Sequence, residues 1–174
     1  SSSSAASDVY KRQGLSVSAS LRDYQLTGVR WLSMLDHYGF AGILADDMGL
    51  GKTLQTISFL STKLTRDSRV LILSPSRLIY NWQDEFHKFA PDVDVAVAYG
   101  SKIRRDEIIA ERHQVIITSY SSFRQDFETY SEGNYDYLIL DEAQVMKNAQ
   151  TKIAHSLRSF EVKNCFALSG TPIE

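Results

Sequence analysis

Short apolar runs alternate along this chain with segments of helical period, and that alternation most constrains the fold. The runs are Ala41–Ala45, Val70–Leu73, Val93–Ala98, Val115–Thr118, Tyr137–Leu140 and Cys165–Leu168. Val70-Leu71-Ile72-Leu73 has no polar position at all, as a strand covered on both faces requires. Between the runs lie amphipathic stretches. Leu21–His37 carries Leu21, Gln25, Gly28, Leu32 and Leu35 on one stripe, and Lys52–Leu64 carries Leu54, Ile57, Leu60 and Leu64. Leu78–Phe89 places Leu78, Trp82, Phe86 and Phe89 together, and Lys102–Ala110 and Thr151–Phe160 also read as helices. The expected class is α/β, three-layered, with a mostly parallel sheet and helices on both faces. A polar stretch around Ser131–Asn134 reads as a flexible connection.

Two strings carry chemistry. Asp-Asp-Met-Gly-Leu-Gly-Lys-Thr, Asp46 to Thr53, follows the Ala41–Ala45 run and opens the Lys52–Leu64 helix. This is the strand, glycine loop and helix setting of a phosphate-binding loop. Glycine lets main-chain N–H groups approach phosphate oxygens closely, and the helix N-terminus adds partial positive charge. Asp47, Met48, Gly49, Leu50, Gly51, Lys52, Thr53 and Leu54 are therefore the candidate ATP-binding residues. In such a loop Lys52 reaches the β- and γ-phosphates, and the Thr53 hydroxyl ligates Mg²⁺. Asp141-Glu142-Ala143-Gln144 follows the Tyr137–Leu140 run. Asp141 is placed to hold the same Mg²⁺, and Glu142 to orient and deprotonate the attacking water. The candidate catalytic residues are thus Lys52, Asp141 and Glu142, with Thr53 and Asp141 as metal ligands.

A length of 174 residues suits one domain with a core of its own. The hydrophobic fraction of 43% and charged fraction of 23% are ordinary for a globular chain, and no apolar run reaches spanning length, so no membrane partner is expected. The lone Cys165 excludes a disulfide framework, and its apolar surroundings suit a small core residue in a reducing compartment. The four histidines lack ligand spacing. Ser3–Gln13 resembles the translation of a transposon-end adapter, so residues 1–13 are read as a non-native, disordered leader; a natural serine-rich leader is the alternative. That leader carries Asp8, Lys11 and Arg12, so removing it moves the net charge from −2 to −3. A mildly acidic total gives no global signature of nucleic-acid binding.

From Leu21 onward the chain resembles the first RecA-like motor lobe of a Swi/Snf-type ATPase of helicase superfamily 2. Further segments match that family in order: Leu21-Arg22-Asp23-Tyr24-Gln25, Leu73-Ser74-Pro75-Ser76 through Asn81-Trp82 to Glu85, Val115 to Tyr120, and Leu168-Ser169-Gly170-Thr171-Pro172. The resemblance implies that Gln25 reads the adenine edge through its paired donor and acceptor. It implies that Ser74, Pro75, Ser76, Thr118, Ser119 and Tyr120 meet a nucleic-acid backbone, and that Gln144, Ser169, Gly170 and Thr171 couple hydrolysis to lobe movement. Gln144 stands where many members carry His, as in bacterial members. Asp46 stands where the strict loop pattern has Gly, and Asp47 where relatives often have Glu.

The resemblance further implies double-stranded DNA as partner and a second motor lobe. Residues 14–174 would then be the ATP-binding lobe of a longer protein, cytoplasmic and nucleoid-associated in a bacterium, nuclear in a eukaryote. The second lobe would bring the arginine finger, so the isolated lobe is expected to turn over very slowly. Two other readings stay open: a strand-separating helicase on RNA or DNA, and a non-hydrolysing nucleotide switch. Trp82 and Tyr120 have two readings, base-stacking platforms or core residues, and the apolar stripe favours the core for Trp82. Arg104 and Arg105 are read as solvated surface or as a backbone contact.

Overall fold

The computed structural model describes residues 42–45, 51–143 and 151–169. The expected leader, the Leu21–His37 helix, Gln25, most of the phosphate loop before Gly51, and Gln144, Gly170 and Thr171 lie outside the described residues.

Among the described residues six strands form one sheet: β1 (Gly42–Ala45), β2 (Val70–Ser74), β3 (Val95–Val97), β4 (Val115–Ser119), β5 (Tyr137–Leu140) and β6 (Asn164–Ser169). Their order across the sheet is β1-β6-β5-β2-β4-β3, and every neighbouring pair is parallel. Each parallel crossover requires a covering element, and among the described residues six α-helices supply these. They are α1 (Lys52–Lys63), α2 (Ile79–Phe89, preceded by a 3-10 turn at Ser76–Leu78), α3 (Lys102–Ala110), α4 (Tyr120–Gln125), α5 (Phe127–Ser131) and α6 (Thr151–Ser159).

The two faces of the sheet carry two cores, and β2 shows how one apolar run serves both. Val70 and Ile72 join Ile57, Phe59 and Leu60 of α1 and Ile79, Trp82 and Phe86 of α2. Leu71 and Leu73 point the other way, into Ile108 and Ile109 of α3, Phe123 of α4, Tyr130 of α5 and Phe160. All four side chains are fully buried, so the run cannot afford the polar alternation of a half-exposed strand. Phe59 packs edge-on against Phe166 and Tyr137 at 5.5 and 5.9 Å, joining α1 to β6 and β5. Each such pair adds about 1 kcal/mol beyond its buried area.

The register brings the strand ends to one edge. Ser74 is paired with Ser119, Leu73 with Leu140, and Ala45 with Ser169. In open α/β sheets this carboxyl edge is where ligands bind.

Two expectations are corrected. The segment after Ser119 turns at once into α4 and α5, which the strand-based reading left unassigned; Ser119 caps α4 by accepting from the Ser122 N–H at 3.1 Å. Ser131–Asn134 is an anchored turn rather than a loose connection. The Gly133 carbonyl accepts from the buried Arg69 guanidinium at 2.7 Å, and that guanidinium also lies over the Tyr135 ring at 4.5 Å.

Candidate nucleotide-binding site

Helix α1 begins behind Gly51, whose φ of 94° lies in the left-handed region. A Cβ there would cost about 1–2 kcal/mol, which accounts for glycine at this position. No side chain caps this end of α1, so its first N–H groups keep their donor capacity for an anion. Lys52, the first helical residue, is buried, its side chain 9% exposed. Its ammonium lies 2.7 Å from Glu142 Oε1 and 3.1 Å from Asp141 Oδ1. The sequence separation is about ninety residues, yet the two strings form one cluster. Burial alone would lower the Lys52 pKa; the charges and hydrogen bonds of Asp141 and Glu142 outweigh it and raise it. The side chain is therefore a fixed cation.

Asp141 follows the last residue of β5 and is 1% exposed. Its N–H donates to the Leu73 carbonyl at 2.8 Å, continuing the β5–β2 ladder one step past the strand. Its Oδ2 accepts from Ser74 Oγ at 3.0 Å and from Trp82 Nε1 at 2.8 Å. Its carbonyl oxygen accepts from the Tyr120 hydroxyl at 2.7 Å. Oδ1 has no aligned hydrogen bond among the described residues and faces the Lys52 ammonium. Glu142 is half-buried with φ 54°, left-handed backbone that glutamate rarely adopts. Strain of this kind, about 1–3 kcal/mol, persists where the surroundings over-determine a geometry, as at functional sites.

The other expected residues divide. Thr53 and Leu54 lie in the first turn of α1, half-buried beside Lys52. Ser169 ends β6 next to Ala45 of β1. The hydroxyls expected to meet a nucleic-acid backbone are mostly turned inward. Ser74 and Thr118 are fully buried and Ser119 is 2% exposed. Thr118 donates to the Ala98 carbonyl at 2.6 Å. Of that set Ser76 is exposed and Pro75 half-buried.

Neither aromatic is a base-stacking platform here. Trp82 is 1% exposed, as the apolar stripe implies, and Tyr120 is 7% exposed, with burial foremost in pushing its hydroxyl pKa far up. Arg105 is neither surface nor a free basic group. Its buried guanidinium donates to both oxygens of Asp126, at 2.7 and 3.1 Å, and to the Gly100 carbonyl at 2.6 Å. Arg104 is exposed and 3.6 Å from Glu107.

Missed by the sequence reading is the role of Ser74, Trp82 and Tyr120 as hydrogen-bond donors to Asp141. The indole N–H and phenol O–H of buried Trp and Tyr need acceptors, but nothing in local spacing says which.

The arrangement suits a metal-bound triphosphate. Mg²⁺ is typically held by one or two carboxylates and hydroxyls together with substrate phosphates, keeping several waters. Thr53 and Asp141 offer that donor set, with Oδ1, which faces the Lys52 ammonium at 3.1 Å, as the carboxylate oxygen that a metal would share or take over.

The SNF2-related domain family matches residues 24–174. The uncharacterized ATP-dependent helicase MG018 of Mycoplasma genitalium is 39% identical over 160 residues, covering 88% of this chain and 15% of that protein. The ISWI chromatin-remodeling complex ATPase ISW2 of Saccharomyces cerevisiae is 39% identical over 165 residues, covering 90% of this chain and 15% of its own length. The Sulfolobus solfataricus SWI2/SNF2 ATPase core in complex with dsDNA superposes with a TM-score of 0.80 at 37% identity, over 91% of this chain and 33% of that one. This chain therefore spans a small part of its relatives' length. Its all-parallel sheet and the match across nearly all of it make it a member of the SNF2-related domain family, with the fold of an N-terminal Swi/Snf helicase lobe.

Proposed function

We propose that this chain is the ATP-binding lobe of a DNA-dependent ATPase motor of the remodeller or translocase kind. The observation that carries the reading is the Lys52 ammonium held between Asp141 and Glu142, at the carboxyl edge of a parallel sheet and the start of an uncapped helix. The similarity to helicases and remodeller ATPases supports it.

In this reading Lys52 and the main-chain N–H groups from Asp47 to Leu54 grip the phosphates. Thr53 and Asp141 would hold Mg²⁺, which would supply positive charge against the developing phosphate charge when bound. Glu142, whose carboxylate lies 2.7 Å from the Lys52 ammonium, orients and deprotonates the attacking water. While the ammonium pairs with Glu142 it competes with a water for that carboxylate; a phosphate that draws Lys52 away frees the base. Gln25 reads the adenine edge, and Gln144, Ser169, Gly170 and Thr171 couple the nucleotide to lobe movement. Double-stranded DNA is the proposed track, supported by the relative solved in complex with dsDNA. A second lobe closing on this one supplies the rest of the cleft, and closure is the conformational step of translocation.

The test is ATP hydrolysis by the full-length protein with duplex DNA, single strands or RNA. Duplex stimulation is expected, and stimulation by RNA alone would refute the DNA reading. Lys52→Ala is expected to abolish tight nucleotide binding. Glu142→Gln should bind ATP and fail to turn it over; full turnover would remove Glu142 from the role of base.

A further inference from the structure

The two chain segments that leave the sheet at Ser74 and Ser119 each send side-chain hydrogen bonds to one residue, Asp141. Ser74 closes β2, and Trp82 lies in α2, with the 3-10 turn Ser76–Leu78 between them. Both donate to the same carboxylate oxygen, Oδ2, at 3.0 and 2.8 Å. Tyr120, the first residue of α4, donates to the Asp141 carbonyl at 2.7 Å. Ser74, Trp82 and Asp141 are each at most 1% exposed, so water does not compete for these bonds.

A carboxylate with two donors on one oxygen is restrained in its torsion, and its remaining oxygen is aimed. Here that oxygen is Oδ1, which faces the Lys52 ammonium. A hydrophobic residue at either position would serve the core equally well. The indole and hydroxyl do more: they satisfy the buried negative charge and choose which oxygen is presented.

We infer that Ser74 and Trp82 are positioning residues for Asp141, fixing Oδ2 so that Oδ1 is offered to the divalent cation that accompanies the nucleotide. This rests on the nucleotide reading above. Partners that orient metal ligands typically account for about 10–100-fold in metal affinity.

The experiment follows a fluorescent ADP analogue by anisotropy, at fixed nucleotide and rising Mg²⁺, in the full-length protein. Trp82→Phe keeps an aromatic ring in the core and removes the indole N–H; Ser74→Ala removes one hydroxyl. In each, the Mg²⁺ concentration for half-maximal binding is expected to rise about 10-fold. Nucleotide affinity in EDTA, set by Lys52 and the loop amides, is expected to stay within about twofold of the wild type. A merely structural role would lower both affinities together, and that outcome overturns the inference. An unchanged Mg²⁺ requirement in both variants also overturns it. If Trp82→Phe loses its native circular dichroism, Ser74→Ala alone decides. A wild-type protein that binds no nucleotide with or without Mg²⁺ overturns the nucleotide reading itself, and the assignment with it.

Discussion

Replacing Asp126 with Asn tests how the second core is held together. Asp126 sits between α4 and α5, its side chain fully buried. It accepts from Arg105 Nε at 2.7 Å, Arg105 Nη2 at 3.1 Å and Lys102 Nζ at 2.9 Å. Asn keeps the volume and deletes the charge. It also turns an N–H₂ group toward guanidinium or ammonium donors, whichever way the amide is flipped. The buried Arg105 cation then loses its counter-charge, a change that generally costs about 3–5 kcal/mol. The lower end applies here, because the Gly100 carbonyl and Gln125 Oε1 still accept from Arg105, and Lys102 is half-exposed. A loss of about 3 kcal/mol corresponds to roughly 6–12 °C in Tm for a domain of this size.

Urea unfolding of the chain, read by circular dichroism, gives the difference directly. Its pH dependence has a fixed sign. Burial raises the Asp126 pKa, but the hydrogen bonds and charges of Arg105 and Lys102 outweigh it and hold it below the usual 3.8. The wild-type advantage is therefore full above pH 3.8 and shrinks as pH falls through the lower folded value. The double variant Arg105→Met, Asp126→Asn should recover part of the loss, since it removes the stranded cation. A cost below about 1 kcal/mol, or one that does not change between pH 6 and pH 2.5, would refute the reasoning.

His113 bridges Asp94 and Glu111 through its two ring nitrogens, at 2.9 and 2.6 Å. Burial would lower its pKa, but the two carboxylates raise it above 6.5, so its stabilisation is present below pH 6.5 and lost as pH rises through the folded value. Thermal melts should show His113→Gln about 1–2 °C less stable at pH 5.5 and equal to wild type at pH 9, a size set by the exposed carboxylates; a pH-independent gap refutes the bridge. Gly133→Ala would place a Cβ 2.5 Å from the buried Tyr135 ring and 3.1 Å from the Tyr130 carbonyl. It should lower stability by about 1–3 kcal/mol in the same urea assay, and a loss under about 0.5 kcal/mol would mean the turn yields freely.

Local periodicity made the sheet legible. Fully apolar four-residue runs between helical segments fit strands covered on both faces, and Lys102–Ala110 and Tyr137–Leu140 appear with the expected bounds. That Lys52, Asp141 and Glu142 belong to one cluster was legible because their lysine and carboxylate chemistry is compressed into two short strings. The helices α4 and α5 had a signal in Tyr120, Phe123, Phe127 and Tyr130, spaced three and four apart behind the capping Ser119. A strand-end reading of Ser119 and Tyr120 obscured it.

What only the tertiary structure decided is where buried polar groups find partners. Lys52 meets Glu142 ninety positions away, and Trp82 meets Asp141 at a separation of 59. Arg105 belongs to a buried clamp rather than to the surface. Sequence spacing encodes the faces of helices and strands because their geometry repeats within a few residues. A buried donor is satisfied by whichever acceptor the strand order delivers. The order β1-β6-β5-β2-β4-β3 brought the ends of β2, β4 and β5 together around one carboxylate.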